Sequence, residues 1–176
     1  MNLGIDELLA YTDDEREKWH QWFAKNGNEP LKIALAAEAH PTVGALILHC
    51  FWAEAWYVSL LRGEMLTEDS EYVKQNKDLP SDQAEAIFNF GRSGRSALWT
   101  FINSAKQDDW ERIYEAEAGK FQLRGSARKL VSHLLVHEIR HWAQIAIVVR
   151  QQGLEPPGDH DLIFSQSFGQ IGKRLA

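Results

Sequence analysis

The chain is short of the residues that would give it a ready chemical signature. Its 176 residues include one cysteine, Cys50, so neither an internal disulfide nor a thiolate metal cluster can be built. Basic residues are outnumbered: 19 Lys and Arg against 25 Asp and Glu leave a net charge of −6. That balance argues against a nucleic-acid partner, which needs a basic footprint. The opening stretch MNLGIDELLAYTDDEREK lacks the basic-then-apolar pattern of a secretory signal. The one apolar run near membrane-span length, 42–61, is interrupted by His49 and Glu54 and reads as a buried helix. A cytoplasmic protein that meets no membrane is the expectation.

What the chain has in quantity is apolar and aromatic. Hydrophobic residues make up 44% and seven residues are Trp, enough for an aromatic-rich core. The length suits a single domain spanning 1–176. Residues 5–25 read as a first helix, with Leu8, Trp19, Trp22 and Phe23 on its apolar face and the charges of DDEREK on a solvated one; Asn26-Gly27-Asn28 stops it. Residues 28–41 form a connection whose alternating Leu31, Ile33 and Leu35 suggest extended chain. A second helix covers 42–61, followed by a polar loop over 62–80. Ser81-Asp82 with Glu85 resembles the start of a third helix to Ala105. Gly91 and Gly94 inside it point to a kink or the close approach of another helix. A weakly alternating segment, 109–124, reads as a short hairpin. Ser126 caps a fourth helix ending at Gln152-Gly153, and the tail 153–176 reads mostly as coil. The fold class is therefore all-α, a four-helix bundle with a hairpin before the last helix.

Three histidines carry the chemistry. His137 and His141 lie four residues apart in HEIRH and stack on one helix face. His49 lies in a second helix of the same apolar character. The stripes Leu130, Leu134, His137, His141, Ile145, Val148 and Leu46, His49, Ala53, Trp56, Leu60 would turn them toward the bundle interior. Two imidazoles within one turn of an apolar face lack partners for their ring nitrogens, and a metal supplies them. A third imidazole from a facing helix completes a three-ligand site with a position left open. His133, one turn earlier, drifts toward the polar flank with Arg140 and Gln144, as a supporting or plainly exposed residue.

Two other templates overlap these residues. His137-Glu138-Ile139-Arg140-His141 matches HExxH, the zinc peptidase pattern with Glu as base. The extended form wants Gly where Gln144 stands and His where Ile147 stands, and Glu155 would have to serve as third ligand. Glu138 also points about 100° from His137 on the helical wheel, consistent with pairing to a basic neighbour instead. The di-iron bundle template is met by Glu17-x-x-His20 and Glu138-x-x-His141 with Glu54 and Glu85, but it leaves His49 and His137 unused.

The segments LHCFWAEAWYVSLLRGE and HLLVHEIRHWAQIAIVVRQQGLEPPGDHDLI, with Trp19 and Trp22 near the start, resemble the DinB/YfiT-like family of metal-binding four-helix bundles, over about residues 5–165. The resemblance implies that His49, His137 and His141 hold one divalent metal, zinc or nickel, with water at the open position. His133 and Gln144 match commonly occupied family positions. Trp142-Ala143 stand where the family often has a basic residue and a glycine. Members include metal-dependent thiol transferases and isomerases that use low-molecular-weight thiols, and the family-typical assembly is a homodimer.

A small-molecule substrate would then be converted by metal-activated water or thiol, in an S-transferase or a related hydrolase or isomerase. Trp52, Trp56 and Trp142, and the pair Arg92 and Arg95, are the candidate substrate contacts. Their plainer alternatives are core packing for the tryptophans and a solvated helix face for the arginines. Cys50 reads as a small buried hydrophobe. A non-catalytic binding or sensor module stays open as the alternative, with the metal shell closed by a Glu or by His160 from the tail.

Overall fold

The computed structural model describes residues 4–36, 39–118, 121–158, 162 and 165. Four long helices, α1 (Ile5–Asn26), α2 (Val43–Leu61), α4 (Ala84–Ser104) and α6 (Ala127–Gln151), make the bundle expected from the sequence. Two short helices, α3 (Glu71–Asn76) and α5 (Gln107–Glu111), lie in the connections. The hairpin before α6 is present, with β1 (Ile113–Ala118) antiparallel to β2 (Phe121–Ser126). α2 packs against α4 and α6, and α1 packs against the same two helices from the other side. The α2–α6 and α1–α4 seams therefore lie on opposite sides of the bundle.

Local chemistry explains most of the boundaries. Thr42 caps α2 by accepting from the Ala45 amide, and Ser126 caps α6 by accepting from the Lys129 amide, each satisfying a donor the helix leaves orphaned. Gly153 ends α6 at φ 75°, a left-handed conformation that glycine adopts without Cβ strain. The start of α4 differs from the sequence expectation: it begins at Ala84, and Ser81 does not cap it. The cap comes instead from the far side of a turn, where Asn28 Oδ1 accepts from the Ala84 amide at 3.1 Å. The 28–41 connection also departs from a simple extended chain. It opens with a 3₁₀ turn at Glu29–Lys32 and reaches α2 through an isolated bridge between Ala34 and Thr42. Within 62–80, read as loop, Glu71–Asn76 is helical. Residues 154–158 of the tail lack regular structure, as expected, and its remainder lies largely outside the described residues.

The core forms two apolar clusters. One gathers Trp19, Phe23, Ile47, Phe51, Phe88, Trp142 and Ile145; the other gathers Leu9, Val58, Leu98, Val131 and Leu135. The approach of another helix at Gly91 is confirmed. A Cβ there would lie 2.6 Å from two Phe51 ring carbons, inside van der Waals contact, so the ring occupies the place a side chain would take. α2 is long and apolar enough to cross a membrane, but 67% of its most apolar window is buried inside the bundle.

The phase of the helices is a correction to the sequence reading. The deepest stripe of α6 is Val131, Leu135, Glu138, Trp142, Ile145 and Val149, and that of α2 is Ile47, Phe51, Glu54, Val58 and Leu61. Both carry a glutamate at the centre, and the histidines sit one step round, on half-buried flanks. The DDEREK face is corrected in the same way: Glu15 and Arg16 are buried, not solvated.

The reason is a knot of four charges, one from each long helix. Arg16 of α1 donates to Glu138 at 2.6 and 2.8 Å and to Glu54 at 3.0 Å through each of two nitrogens, and it reaches the Gly91 carbonyl at 3.2 Å. Arg95 of α4 donates to Glu54 at 3.0 Å, Glu138 at 2.7 Å and Thr12 at 2.8 Å, and also bonds Asp13. The Arg16 guanidinium also lies 4.5 Å from the centre of the Phe51 ring. Buried charges are tolerated only when paired and hydrogen-bonded in this way.

Candidate metal centre

The knot fixes the side of α6 that faces inward, and His137 and His141 flank Glu138 on the side turned to α2. Their Nε2 atoms lie 3.0 Å apart, and the Nε2 of His49 lies 3.2 Å from that of His137. All three ligand atoms lie within 4.8 Å of one another, on half-buried residues. Among the described residues no other set of His, Cys, Asp or Glu gathers in this way.

The donor arithmetic of the three rings does not close with protons alone. His141 Nδ1 lies 2.7 Å from Gln144 Oε1; donating there, a neutral His141 keeps a bare lone pair on Nε2. His137 Nε2–H can satisfy that lone pair or the one on His49, not both. One of the two close nitrogen pairs is then left with facing lone pairs or facing hydrogens. A single cation among the three nitrogens satisfies every contact. Tetrahedral ligands about 2.0–2.1 Å from zinc stand about 3.3–3.4 Å apart, close to the spacings seen, so the donor set fits a divalent metal.

Protonation does not compete strongly for these lone pairs. Burial, with the neighbouring His40 and His141, lowers the His49 pKa to about 4. Burial and the charges of His141 and His49 lower that of His137 to about 4. Both rings are therefore neutral ligands near pH 7. The Glu138 carboxyl is held below its ordinary range. Burial alone would raise it, but the Arg16 and Arg95 guanidiniums outweigh burial.

Glu138 pairs with basic neighbours, as its place on the wheel suggested, and its Oε1 also accepts from Trp142 Nε1 at 3.0 Å. Both its oxygens are taken up by Arg16, Arg95 and Trp142, which removes the base that a peptidase reading requires. Glu155, the substitute third ligand of that reading, is exposed, and its backbone carbonyl accepts from Trp22 Nε1. The di-iron set does not assemble either. Glu54 is spent on Arg16 and Arg95, while Glu85 bonds His20 at 2.9 Å on the surface.

The remaining candidates are placed as follows. Gln144 meets the cluster directly, through His141. His133 is exposed, its ring 5.6 Å from that of His137 and 5.5 Å from Tyr57. Trp52 packs on Phe90 and Tyr72, and Trp56 edges onto Tyr57. Trp142 is buried between Trp19, stacked at 5.4 Å, and Phe88 at 6.3 Å. Arg95 is consumed by the charge knot, and Arg92 pairs with Glu85 at 3.0 Å. Both arginines line a cavity of about 290 Å³ between α1 and α4, across the bundle from the histidines. Cys50 is buried, as expected; burial first, then the Glu138 charge, pushes its thiol well above its ordinary pKa. His160 lies outside the described residues.

Two features of this region escaped the sequence reading. Arg16 was hidden in a run of charges, although Leu9, Thr12, Arg16, Trp19 and Phe23 repeat at steps of three and four, the pattern of an inward face. His40, in the connection before α2, stacks on His49 with ring centres 4.0 Å apart. No sequence signal marks it, since a lone histidine in a loop has no periodic partner.

Comparison with known proteins agrees with this architecture. No curated protein matches the chain. The family model described as DinB family matches residues 1–170, which takes in all four long helices and all three clustered histidines, and the chain belongs to the DinB family.

Proposed function

We propose that this protein is a metal-dependent enzyme of small-molecule thiol chemistry, with His49, His137 and His141 holding one divalent cation, zinc or nickel. The observation that carries the reading is the convergence of three Nε2 atoms at 3.0 and 3.2 Å, which protons alone leave unsatisfied. Three neutral imidazoles leave the cation's charge uncompensated, and the half-buried setting leaves one side of the cluster open to small molecules. A cation held there is a Lewis acid that lowers the pKa of a thiol or water reaching its free position.

The chain's own residues then have distinct tasks. His49 ties α2 to the cluster, while His137 and His141 present two lone pairs from one face of α6. Gln144 fixes the His141 ring by accepting from Nδ1, which orients Nε2 toward the centre. The packed interior between α2 and α6, with its buried charge knot, limits water on the inner side. The reaction class is S-transfer from a low-molecular-weight thiol such as bacillithiol or mycothiol, or a related hydrolysis or isomerisation. In the transfer, an S–C bond forms as the leaving group departs, and the thiol proton passes to solvent.

The test has two stages. Metal content is measured for the parent protein and for His49→Ala, His137→Ala and His141→Ala. Stoichiometric metal in the parent and its loss in the variants is expected; retention by all three variants sinks the site. The metal-loaded protein is then offered bacillithiol, mycothiol or glutathione with monochlorobimane, whose conjugation releases chloride. A metal-dependent rate with one of these thiols is expected. A loaded protein inert with all three thiols ends the S-transfer reading and favours a metal-stabilised binding module.

A further inference from the structure

The connection that leads into α2 is pinned where it meets the helix. The Leu35 amide donates to the Pro41 carbonyl at 2.9 Å and the Val43 amide to the Ile33 carbonyl at 3.0 Å. Ala34 and Thr42 pair between these bonds, and Thr42 itself caps α2. His40 is the residue before Pro41, so its backbone is restricted to extended conformations by the proline ring. These constraints aim one half-buried imidazole at the histidine cluster.

The His40 ring stacks on that of His49 at 4.0 Å between centres and 27° between planes. It is also close enough to His141 for the two charges to interact. His133, the other nearby imidazole, is exposed, its ring near those of His137 and Tyr57. His40 does not join the set of three converging ligand atoms. It therefore borders the centre from the loop, next to two of its three members, and its ring nitrogens have no hydrogen-bond partner among the described residues.

We propose that His40 is a substrate-contacting residue, donating a hydrogen bond to the thiol or other small anion that occupies the cation's free position. The proposal rests on the metal centre described above. A loop-borne donor fixed beside the free position would orient the incoming molecule without entering the ligand set. It would also discriminate against molecules unable to accept its hydrogen bond.

The test uses the full chain loaded with cobalt(II), whose visible absorption reports both uptake and the binding of added azide. His40→Phe keeps an aromatic ring on His49 and removes the donor; His40→Ala removes both. Both variants are expected to take up cobalt as the parent does and to bind azide about tenfold more weakly, the effect of one lost charge-assisted hydrogen bond. Azide binding by His40→Phe equal to the parent's overturns the proposal, leaving His40 as packing for His49. Loss of cobalt from both variants also overturns it, making His40 part of the metal site itself. Failure of the parent to take up cobalt overturns the metal centre, and is distinguishable because the variants are then not needed.

Discussion

Replacing Glu138 by Gln tests whether the charge knot, and not a catalytic base, explains this residue. Glu138 accepts four hydrogen bonds: from Arg16 at 2.6 and 2.8 Å, from Arg95 at 2.7 Å and from Trp142 at 3.0 Å. Its side chain is 4% exposed, and those of Arg95 and Arg16 are 7% and 10% exposed, so solvent screens these interactions little. Without the carboxylate, two guanidiniums share Glu54 in the interior, with Asp13 only at the outer edge of Arg95. Removing one partner of a buried pair costs about 3–5 kcal/mol. Gln keeps one acceptor oxygen but turns an amide N–H toward a guanidinium, so the lower end, about 3 kcal/mol, is expected. At about 2–4 °C per kcal/mol for a domain of this size, the melting temperature should fall by roughly 10 °C. Glu138→Ala should reach the upper end of the range. Urea unfolding of the metal-free protein, followed by tryptophan fluorescence and circular dichroism, measures both. A Glu138→Gln protein within about 1 kcal/mol of the parent would refute the reasoning. It would return Glu138 to the role of a base whose loss affects rate and not stability.

Three further outcomes follow from the geometry. Gln144→Ala should weaken metal binding about tenfold, the lower end for loss of a residue that orients a ligand, read by competition with a chromophoric chelator; an unchanged affinity would show that the His141 ring needs no such support. Gly91→Ala should destabilise by up to about 2 kcal/mol in urea, because overpacking against Phe51 costs about 1–3 kcal/mol and the gain in helix propensity returns only about 1 kcal/mol; a stabilised variant would mean that Phe51 moves freely. The metal-free protein should lose stability as pH falls from about 6.5 toward 4. His49 and His137 have folded pKa values near 4, so the unfolded chain takes up protons first. Their contribution is fully present above about pH 6.5 and declines below it. A urea midpoint unchanged between pH 7 and 5 would contradict this.

The fold and the histidine cluster were legible in the sequence for one reason: each is written in local periodicity. His137 and His141 announce themselves by a spacing of four, and the helix ends at Asn26 and Gln151 by the glycines beyond them. What periodicity does not carry is a partner from another helix. Arg16 and Arg95 look like surface charges in their own segments, and neither Glu54 nor Glu138 shows from its segment which cations it meets. Their spacing was informative nonetheless, since each falls in step with apolar neighbours: Arg16 with Leu9 and Phe23, Glu138 with Val131 and Ile145. Placing the histidines on the innermost stripe shifted the inferred inner face of α2 and α6 by one position. The Asn28 cap on α4 was hidden for the same reason, being supplied across 56 residues.

The charge knot has a consequence for how this protein can change over time. It joins all four long helices, and sliding any one of them by a turn would strand a charge in the interior. The relative register of α2 and α6 is thus set by residues that are not ligands. Substitutions on the outer flank, at Ala53 or His133, can then remodel what surrounds the three imidazoles without moving the imidazoles themselves. Framework and histidine cluster lie on adjacent faces of the same helices, so the surroundings of the cluster can be rewritten while the framework is kept.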